Sequence, residues 1–257
     1  MALLVLDQVT HYFGGLKAVD SLNLAIDKGE LFGLIGPNGA GKTTVFNLIT
    51  GVYAPSEGEI RLGERLLCGQ PAFRISGAGV ARTFQTSRLF KAMTVFDNVR
   101  TAFHPRHQPS LLASMLHSAA SGRAEAAIEE RARELLRDFR LEPVAERLAG
   151  ELPYGEQRRL EIARALATGP RLLLLDEPAA GLNSTESGEL MDLIRWIRDR
   201  YEMTVLLIEH DMRVVMGICE RIAVLDYGRQ IASGRPEEIR RHPKVIEAYL
   251  GEEVAGS

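Results

Sequence analysis

The sequence predicts an α/β fold: a core of buried strands, an antiparallel β subdomain beside it, and an α-helical subdomain inserted between its halves. Three observations carry this. Residues 31–47, LFGLIGPNGAGKTTVFN, read as an apolar strand, a glycine-rich turn, and a helix opened by Lys42-Thr43-Thr44 that Gly51 ends. Two further apolar runs, 172–175 and 204–208, have the length of strands buried on both faces, and both discharge into charged residues. From Thr86 to about Gly150 the apolar residues recur at helical spacing instead.

A chain of 257 residues builds one large α/β domain or a core with a smaller lobe. With 46% hydrophobic and 25% charged residues, the composition is that of an ordinary soluble globular protein. A net charge of −3 gives no electrostatic footprint for nucleic acid. No run approaches the roughly 18 apolar residues of a membrane span and no secretory signal opens the chain, so a membrane would be reached through a partner. Cys68 and Cys219 lie among apolar residues away from metal-ligand spacing; both are expected reduced and buried, in a cytoplasmic protein.

In chain order, residues 3–9 read as a strand. Leu22, Leu24 and Ile26 alternate with Ser21, Asn23 and Ala25, the pattern of a half-buried antiparallel strand, and 58–63 is a short strand bounded by glycines. Tyr12 and Phe13, ahead of Gly14-Gly15, are either core aromatics, which burial favours, or a flat ring for a nucleobase. The turn Gly36-Pro37-Asn38-Gly39-Ala40-Gly41 with Lys42-Thr43-Thr44 fits G-x-x-x-x-G-K-[ST] between a strand and a helix. Its glycines let backbone N–H groups curl round a phosphate chain, and the helix N-terminus adds roughly half a positive charge. Lys42 then reaches the β- and γ-phosphates, and the Thr43 hydroxyl takes one Mg²⁺ position. The chain is read as binding a nucleoside triphosphate.

Residues 80–84 form a short apolar strand, followed by Gln85. Beyond it Ala124, Ile128, Leu135, Leu136 and Phe139 share a helical face, with Glu129 and Arg133 as an i,i+4 pair on the exposed side. His104, His107 and His117 suggest a metal set, but Pro105 and Pro109 break the register and no carboxylate or cysteine completes it, so none is assigned. Leu152-Pro153-Tyr154-Gly155-Glu156-Gln157 opens a helix to about Thr168. Leu160, Ala163, Leu166 and Ala167 form its stripe, Arg158, Arg159 and Glu161 fall mostly off it, and Gly169-Pro170 stops it. The strand beginning at Leu172 ends in Asp176-Glu177, where open α/β sheets place ligands. Asp176 suits the Mg²⁺ shell, directly or through water, and Glu177 the orientation of an attacking water. A helix over 189–200 turns Leu190, Leu193, Ile194 and Ile197 inward with Trp196 at its edge. The strand 204–208 delivers Glu209-His210-Asp211 to the same sheet edge, within reach of a γ-phosphate. Residues 222–226 and 230–232 flank Tyr227-Gly228 as a hairpin, and 236–250 reads as one short polar helix.

In this order, over nearly the whole chain, these segments resemble the ATP-binding subunit of ABC transporters. Their fold is a P-loop NTPase (RecA-like) core with an antiparallel β subdomain and an inserted α-helical subdomain. Five motifs agree: the phosphate loop at 36–44, the glutamine loop at Gln85, the signature at 152–157, the Walker B strand with its catalytic carboxylate at 172–177, and the switch histidine at His210. Ala180-Gly181-Leu182-Asn183 lies where the D-loop does. The resemblance implies a single ABC ATPase domain, with 1–85 and 151–257 as catalytic core and β subdomain and 86–150 as helical subdomain. It implies catalytic roles for Lys42, Gln85, Glu177 and His210, and Mg²⁺ held by Thr43, Gln85 and Asp176. ATP would be held by Gly36, Pro37, Asn38, Gly39, Ala40, Gly41, Lys42, Thr43 and Thr44, with Phe13 stacked on the adenine, while Tyr154, Gly155 and Glu156 face the nucleotide of a partner ATPase.

In finer detail the stretches 81–85, 154–164, 177–183, 208–212 and 248–251 look like the ATPases of high-affinity branched-chain amino acid importers. That likeness implies a second ATPase, identical or not, two membrane-spanning permease subunits contacted near 86–98, and indirectly a periplasmic solute-binding protein. The chain would lie peripherally on the cytoplasmic face of the inner membrane, with no nucleic-acid partner.

Two departures stand out. The wider family's signature reads Leu-Ser-Gly-Gly-Gln, and Pro153 and Tyr154 here replace the serine and first glycine. Proline supplies neither hydroxyl nor N–H, so charge stabilisation falls to the Gly155 and Glu156 amides, with about 3 kcal/mol at stake for one lost donor. The D-loop ends in Asn183 rather than aspartate. Rival classes fit less well. A small-molecule kinase has no use for the 152–157 signature. A chromosome or repair ATPase needs a coiled coil where only about 110 residues stand, and a translation factor carries two ATPase units. An ATPase serving another cargo, such as urea or a lipid polysaccharide, would carry the same residues.

Overall fold

The computed structural model describes residues 1–85, 88–103 and 119–255. Two compact units emerge, Met1–Arg82 with Arg171–Ser257, and Thr83–Pro170.

The first unit holds two sheets. An antiparallel sheet runs β2-β1-β4-β5, from β1 (Ala2–Phe13), β2 (Leu16–Asp27), β4 (Glu57–Leu62) and β5 (Arg65–Leu66). Its first strand extends four residues past the predicted end at Val9. Gly14, at φ +58, turns the chain so that Tyr12 pairs with Lys17 and Phe13 with Leu16, and the aromatic pair rides on a hairpin. On β2 the expected alternation holds, with Leu22, Leu24 and Ile26 buried and Asn23 and Ala25 exposed.

The other sheet runs β10-β9-β3-β8-β7-β6, from β3 (Leu31–Ile35), β6 (Val80–Arg82), β7 (Leu172–Asp176), β8 (Thr204–Ile208), β9 (Arg221–Asp226) and β10 (Arg229–Gly234). Strands β9, β3, β8, β7 and β6 are parallel neighbours, and β10 returns antiparallel through Tyr227-Gly228. Every residue of β3, β7 and β8 is buried, as a parallel sheet covered on both faces requires. Strand β6 stops at Arg82, two residues short of the expected Phe84.

Four helices connect these strands, α1 (Lys42–Ile49), α2 (Ala72–Ala78), and, past the second unit, α6 (Ser184–Arg200) and α7 (Met212–Ile218), and α8 (Pro236–Arg240) follows β10. Helix α6 starts five residues earlier than its apolar stripe suggests because Asn183 caps it. The Asn183 Oδ1 accepts the Glu186 N–H at 3.0 Å while Glu186 Oε2 accepts the Asn183 N–H at 3.0 Å. An asparagine oxygen caps as well as a carboxylate. The tail forms two helices rather than one, α8 and α9 (Pro243–Ala255), because Pro243 disfavours helical backbone at His242. Cys68 and Cys219 are free; Cys219 is buried as expected, whereas Cys68 is half-buried, its Sγ accepting the Ile60 N–H at 3.1 Å.

The second unit contains α3 (Val95–Ala102), α4 (Ala119–Asp138) and α5 (Tyr154–Ala167), which pack on one another. Ile128, Leu135, Leu136, Phe139, Leu160, Ala163, Leu166 and Ala167 are buried there. Of the exposed pair on α4, Glu129 lies 3.9 Å from Arg100 and Arg133 sits over the Phe96 ring. Arg158 and Glu161, placed off the stripe by pattern, are instead buried as a 2.8 Å ion pair, since a charge that finds its partner can enter a core. His104, His107 and His117 lie outside the described residues. Among the described residues no helix is long and apolar enough to cross a membrane.

Gly36 leaves β3 at φ +149, and a Cβ there would stand 2.1 Å from the Leu225 carbonyl oxygen on β9. Gly36→Ala is expected to lose on the order of 3 kcal/mol of stability, read as a lowered urea midpoint at unchanged slope.

Candidate active site

Three adjacent parallel strands end in the polar groups of interest: β3 in the loop 36–41, β7 in Asp176-Glu177, and β8 in Glu209-His210. This is the carboxyl edge of an open sheet, where strand ends converge.

The loop is shaped by its glycines. Besides Gly36, Gly41 stands at φ +103, where a Cβ would lie 2.6 Å from the Ala18 carbonyl oxygen, so only glycine fits. The Lys42 ammonium is buried and spans the loop, donating to the Gly36 and Pro37 carbonyls at 2.6 and 2.8 Å. Asn38, Gly39 and Thr43 are exposed and Thr44 half-buried at the start of α1, whose first amides have no intrahelical acceptor. A cradle of backbone amides and an ammonium, closed to side chains at two glycines, is chemically an anion site for a phosphate chain.

Asp176 is buried, with Oδ2 2.7 Å from Arg82 Nη2; Arg82 also donates to Asn47 Oδ1 at 2.7 Å and lies over the Phe46 ring. Arg82 was absent from the residues expected here, and it fixes the direction of the carboxylate. The Thr43 hydroxyl and the Asp176 carboxylate are hard oxygens suited to Mg²⁺, which keeps several waters and takes few protein ligands beside phosphate. Among the described residues no cluster of three His, Cys, Asp or Glu forms a metal cage on its own.

Glu177 follows in the left-handed region, φ +48, held by its N–H to the Ile208 carbonyl at 2.9 Å. Non-glycine residues rarely adopt this backbone, and here it aims a partly exposed carboxylate out of the sheet edge. Glu177 Oε2 lies 3.7 Å from His210 Nδ1, and the imidazole is mostly exposed. Beneath them is a second carboxylate missed by pattern. The Glu209 side chain is fully buried; it accepts the Ala179 N–H at 2.7 Å and the His210 N–H at 3.2 Å, and its Oε2 is 3.8 Å from His210 Nδ1. Burial pushes the Glu209 carboxyl up from its ordinary range, opposed by the Ala179 N–H and by the His210 charge. It ties the segment after Glu177 to the segment carrying His210.

Phe13 is 42% exposed, its ring edge against His11 at 4.6 Å and Tyr53 at 5.2 Å, while His11 and Tyr53 stack at 5.4 Å. The platform is therefore three rings, of which the sequence pattern singled out one. An open aromatic face suits a nucleobase.

In the second unit Gln85 is exposed, Pro153 precedes α5 as its N-cap, and Tyr154, Gly155 and Glu156 form that helix's first turn. The proline has no side-chain cap bond and no N–H, as the departure from the usual signature requires.

Residues 19–180 match the ABC transporter family, and 229–255 match the branched-chain amino acid ATP-binding cassette transporter family. The high-affinity branched-chain amino acid transport ATP-binding protein LivG of Salmonella typhimurium is 50% identical over 97% of this chain and 98% of its own length. The crystal structure of an ABC transporter's ATP-binding cassette in its ADP conformation is 31% identical, with a TM-score of 0.85 over 98% of this chain and 99% of that one. A dimeric cassette in a post-hydrolysis state, bound to ADP and Pi, is 26% identical, with a TM-score of 0.74 over 91% of this chain and 98% of that one.

A carboxyl raised by burial costs stability as pH rises from its unfolded value through its folded one. Glu209→Gln keeps the acceptor for Ala179 and removes that cost. Its thermal midpoint, followed from pH 4.5 to 8, is expected to fall less than that of the parent chain, with His210 the charge facing the substituted group.

Proposed function

Because the chain belongs to the ABC transporter family of ATP-binding cassettes, which are ATPases, we propose that it hydrolyses ATP to power an importer of branched-chain amino acids. The observation that carries the cargo is the match of 229–255 to the branched-chain amino acid ATP-binding cassette transporter family, joined to 50% identity with LivG over nearly its full length. The chemistry rests on three strand ends converging at one edge.

In this reading Met1–Arg82 with Arg171–Ser257 is the catalytic core with its β subdomain, and the helices between them form the helical subdomain. ATP is the substrate. The loop amides, with Lys42, hold its β- and γ-phosphates, and Phe13, braced by Tyr53 and His11, stacks on the adenine. Thr43 and Asp176, with Gln85, would hold Mg²⁺, which supplies neutralisation of the phosphate charge. Glu177 accepts hydrogen bonds from the attacking water and draws off its proton. His210 donates to a γ-phosphate oxygen, its backbone set by Glu209.

The Tyr154 turn faces the nucleotide of a second ATPase, identical or different, so each working centre is shared; a cassette of this family with ADP and Pi is dimeric. Nucleotide then bonds two subunits together, because its phosphate charge satisfies helix N-termini from both. Hydrolysis removes that bond. Residues near 86–98 contact two membrane-spanning permeases, a periplasmic solute-binding protein delivers the cargo, and the chain sits peripherally on the cytoplasmic face of the inner membrane.

Glu177→Gln is expected to lower turnover at least about 100-fold and to accumulate an ATP-bound pair on size-exclusion chromatography. Unchanged turnover would remove Glu177 from its role. Lys42→Ala is expected to weaken nucleotide binding about 10- to 100-fold by fluorescence titration, the loss of charge-assisted hydrogen bonds. Co-purification with the permeases and uptake of radiolabelled leucine tests the cargo, and uptake of urea in its place would reassign it.

A further inference from the structure

Helix α5 grips the backbone around Gln85 from both sides. The Arg158 side chain is 5% exposed; its Nη1 donates to the Phe84 carbonyl at 3.2 Å and to Glu161 Oε2 at 2.8 Å, and its Nη2 to the Gln85 carbonyl at 2.9 Å and to Tyr154 Oη at 2.5 Å. The guanidinium also lies over the Tyr154 ring, 5.0 Å from its centre. Past Gln85, Glu161 Oε1 accepts the Arg88 N–H at 3.1 Å and Arg164 donates to the Arg88 carbonyl at 2.6 Å. Residues 158, 161 and 164, three apart along one helix, thus hold residues 84, 85 and 88.

A buried ion pair needs only the Arg158–Glu161 contact. The two carbonyls are different in kind. They belong to the peptide planes on either side of the Gln85 Cα, and fixing both planes fixes φ and ψ of that residue, hence the direction in which its Cα–Cβ bond leaves the backbone. A planar fork with several donors does this; an ammonium does not. Tyr154 completes the fork's environment through its hydroxyl and its ring face, and it stands where the wider family has glycine.

We propose that Arg158 is a positioning residue that sets the direction of the Gln85 side chain and joins it to the signature helix, with Tyr154 as its brace. This rests on the reading of Gln85 as the side chain that meets the metal–nucleotide. The Gln85 side chain and the first turn of α5 then move as one piece, so a signature that lost its serine and first glycine has a stiffer link to the glutamine.

The test is a double-mutant cycle in the full-length chain assembled with its partner ATPase and permeases. Arg158→Met is expected to lower kcat about 10- to 100-fold while KM for Mg-ATP stays within about twofold, Arg158→Lys to recover only part of it, and Tyr154→Phe to lower kcat about threefold. Combined with Gln85→Ala, Arg158→Met is expected to be no slower than the slower single variant. Arg158→Met strands the Glu161 carboxylate, so the cycle is repeated with Glu161→Gln beside it, and Tyr154→Phe at a half-exposed ring keeps a folded variant in hand. Multiplying losses in the double variant, or full turnover in Arg158→Met and Tyr154→Phe while Gln85→Ala is impaired, would overturn the link alone. Full turnover in Gln85→Ala would instead overturn the role of Gln85, and the link with it.

Discussion

A parallel sheet covered on both faces has no room for polar side chains except at the ends of its strands. Every residue of β3, β7 and β8 is buried, so the chemistry these strands carry is concentrated in the two or three residues after each one. Because the three are neighbours, the loop after β3, the acids after β7 and the histidine after β8 meet without any long-range device to gather them. The helices and the antiparallel sheet keep water off the strands; the location of the chemistry follows from that.

Of the carboxylates at this edge Asp176 and Glu209 are buried and Glu177 is partly exposed, and each needs something to hold it. Asp176 has Arg82, itself lodged against Phe46 and Asn47. Glu209 has two backbone amides and stays buried at the cost of a raised carboxyl. Glu177 has an unusual backbone conformation, and its Oε2 lies 3.7 Å from His210 Nδ1 at the end of the neighbouring strand. These supports differ, yet all three constrain direction more than they add stability. That suits groups which must point at a substrate.

Much of this was legible in the residues, for identifiable reasons. Continuous apolar runs and alternation are direct consequences of burial, so β2, β3, β7 and β8 could be read within a residue or so except where β2 extends into a hairpin. A glycine loop followed by Lys-Thr has few uses, and so it announced a phosphate site. What stayed hidden was long-range. Arg82 and Asp176 are 94 positions apart, and no local pattern pairs them. Glu209 looked like one charge in a polar run because nothing in Glu-His-Asp tells which of the three turns inward. Arg158 and Glu161 looked like a solvated face, since helical periodicity cannot see a partner that converts two charges into core. The resemblance to a family supplied Gln85 and Phe13, which the physics of the sequence left undecided or unnoticed.

The tip of the β9–β10 hairpin bonds to both the phosphate loop and β2. The Gly228 N–H donates to the Ala40 carbonyl in the phosphate loop, and its own carbonyl accepts the Asp20 N–H on β2. The region matched to branched-chain transporters begins at the very next residue, 229. The segment matched to that family is thus rooted beside the phosphate loop. That tail also returns to the loop, since Lys244, Glu247 and Ala248 of α9 line one cavity with Pro37, Asn38, Gly39 and Ala40, so a change in the tail reaches the wall of the phosphate site.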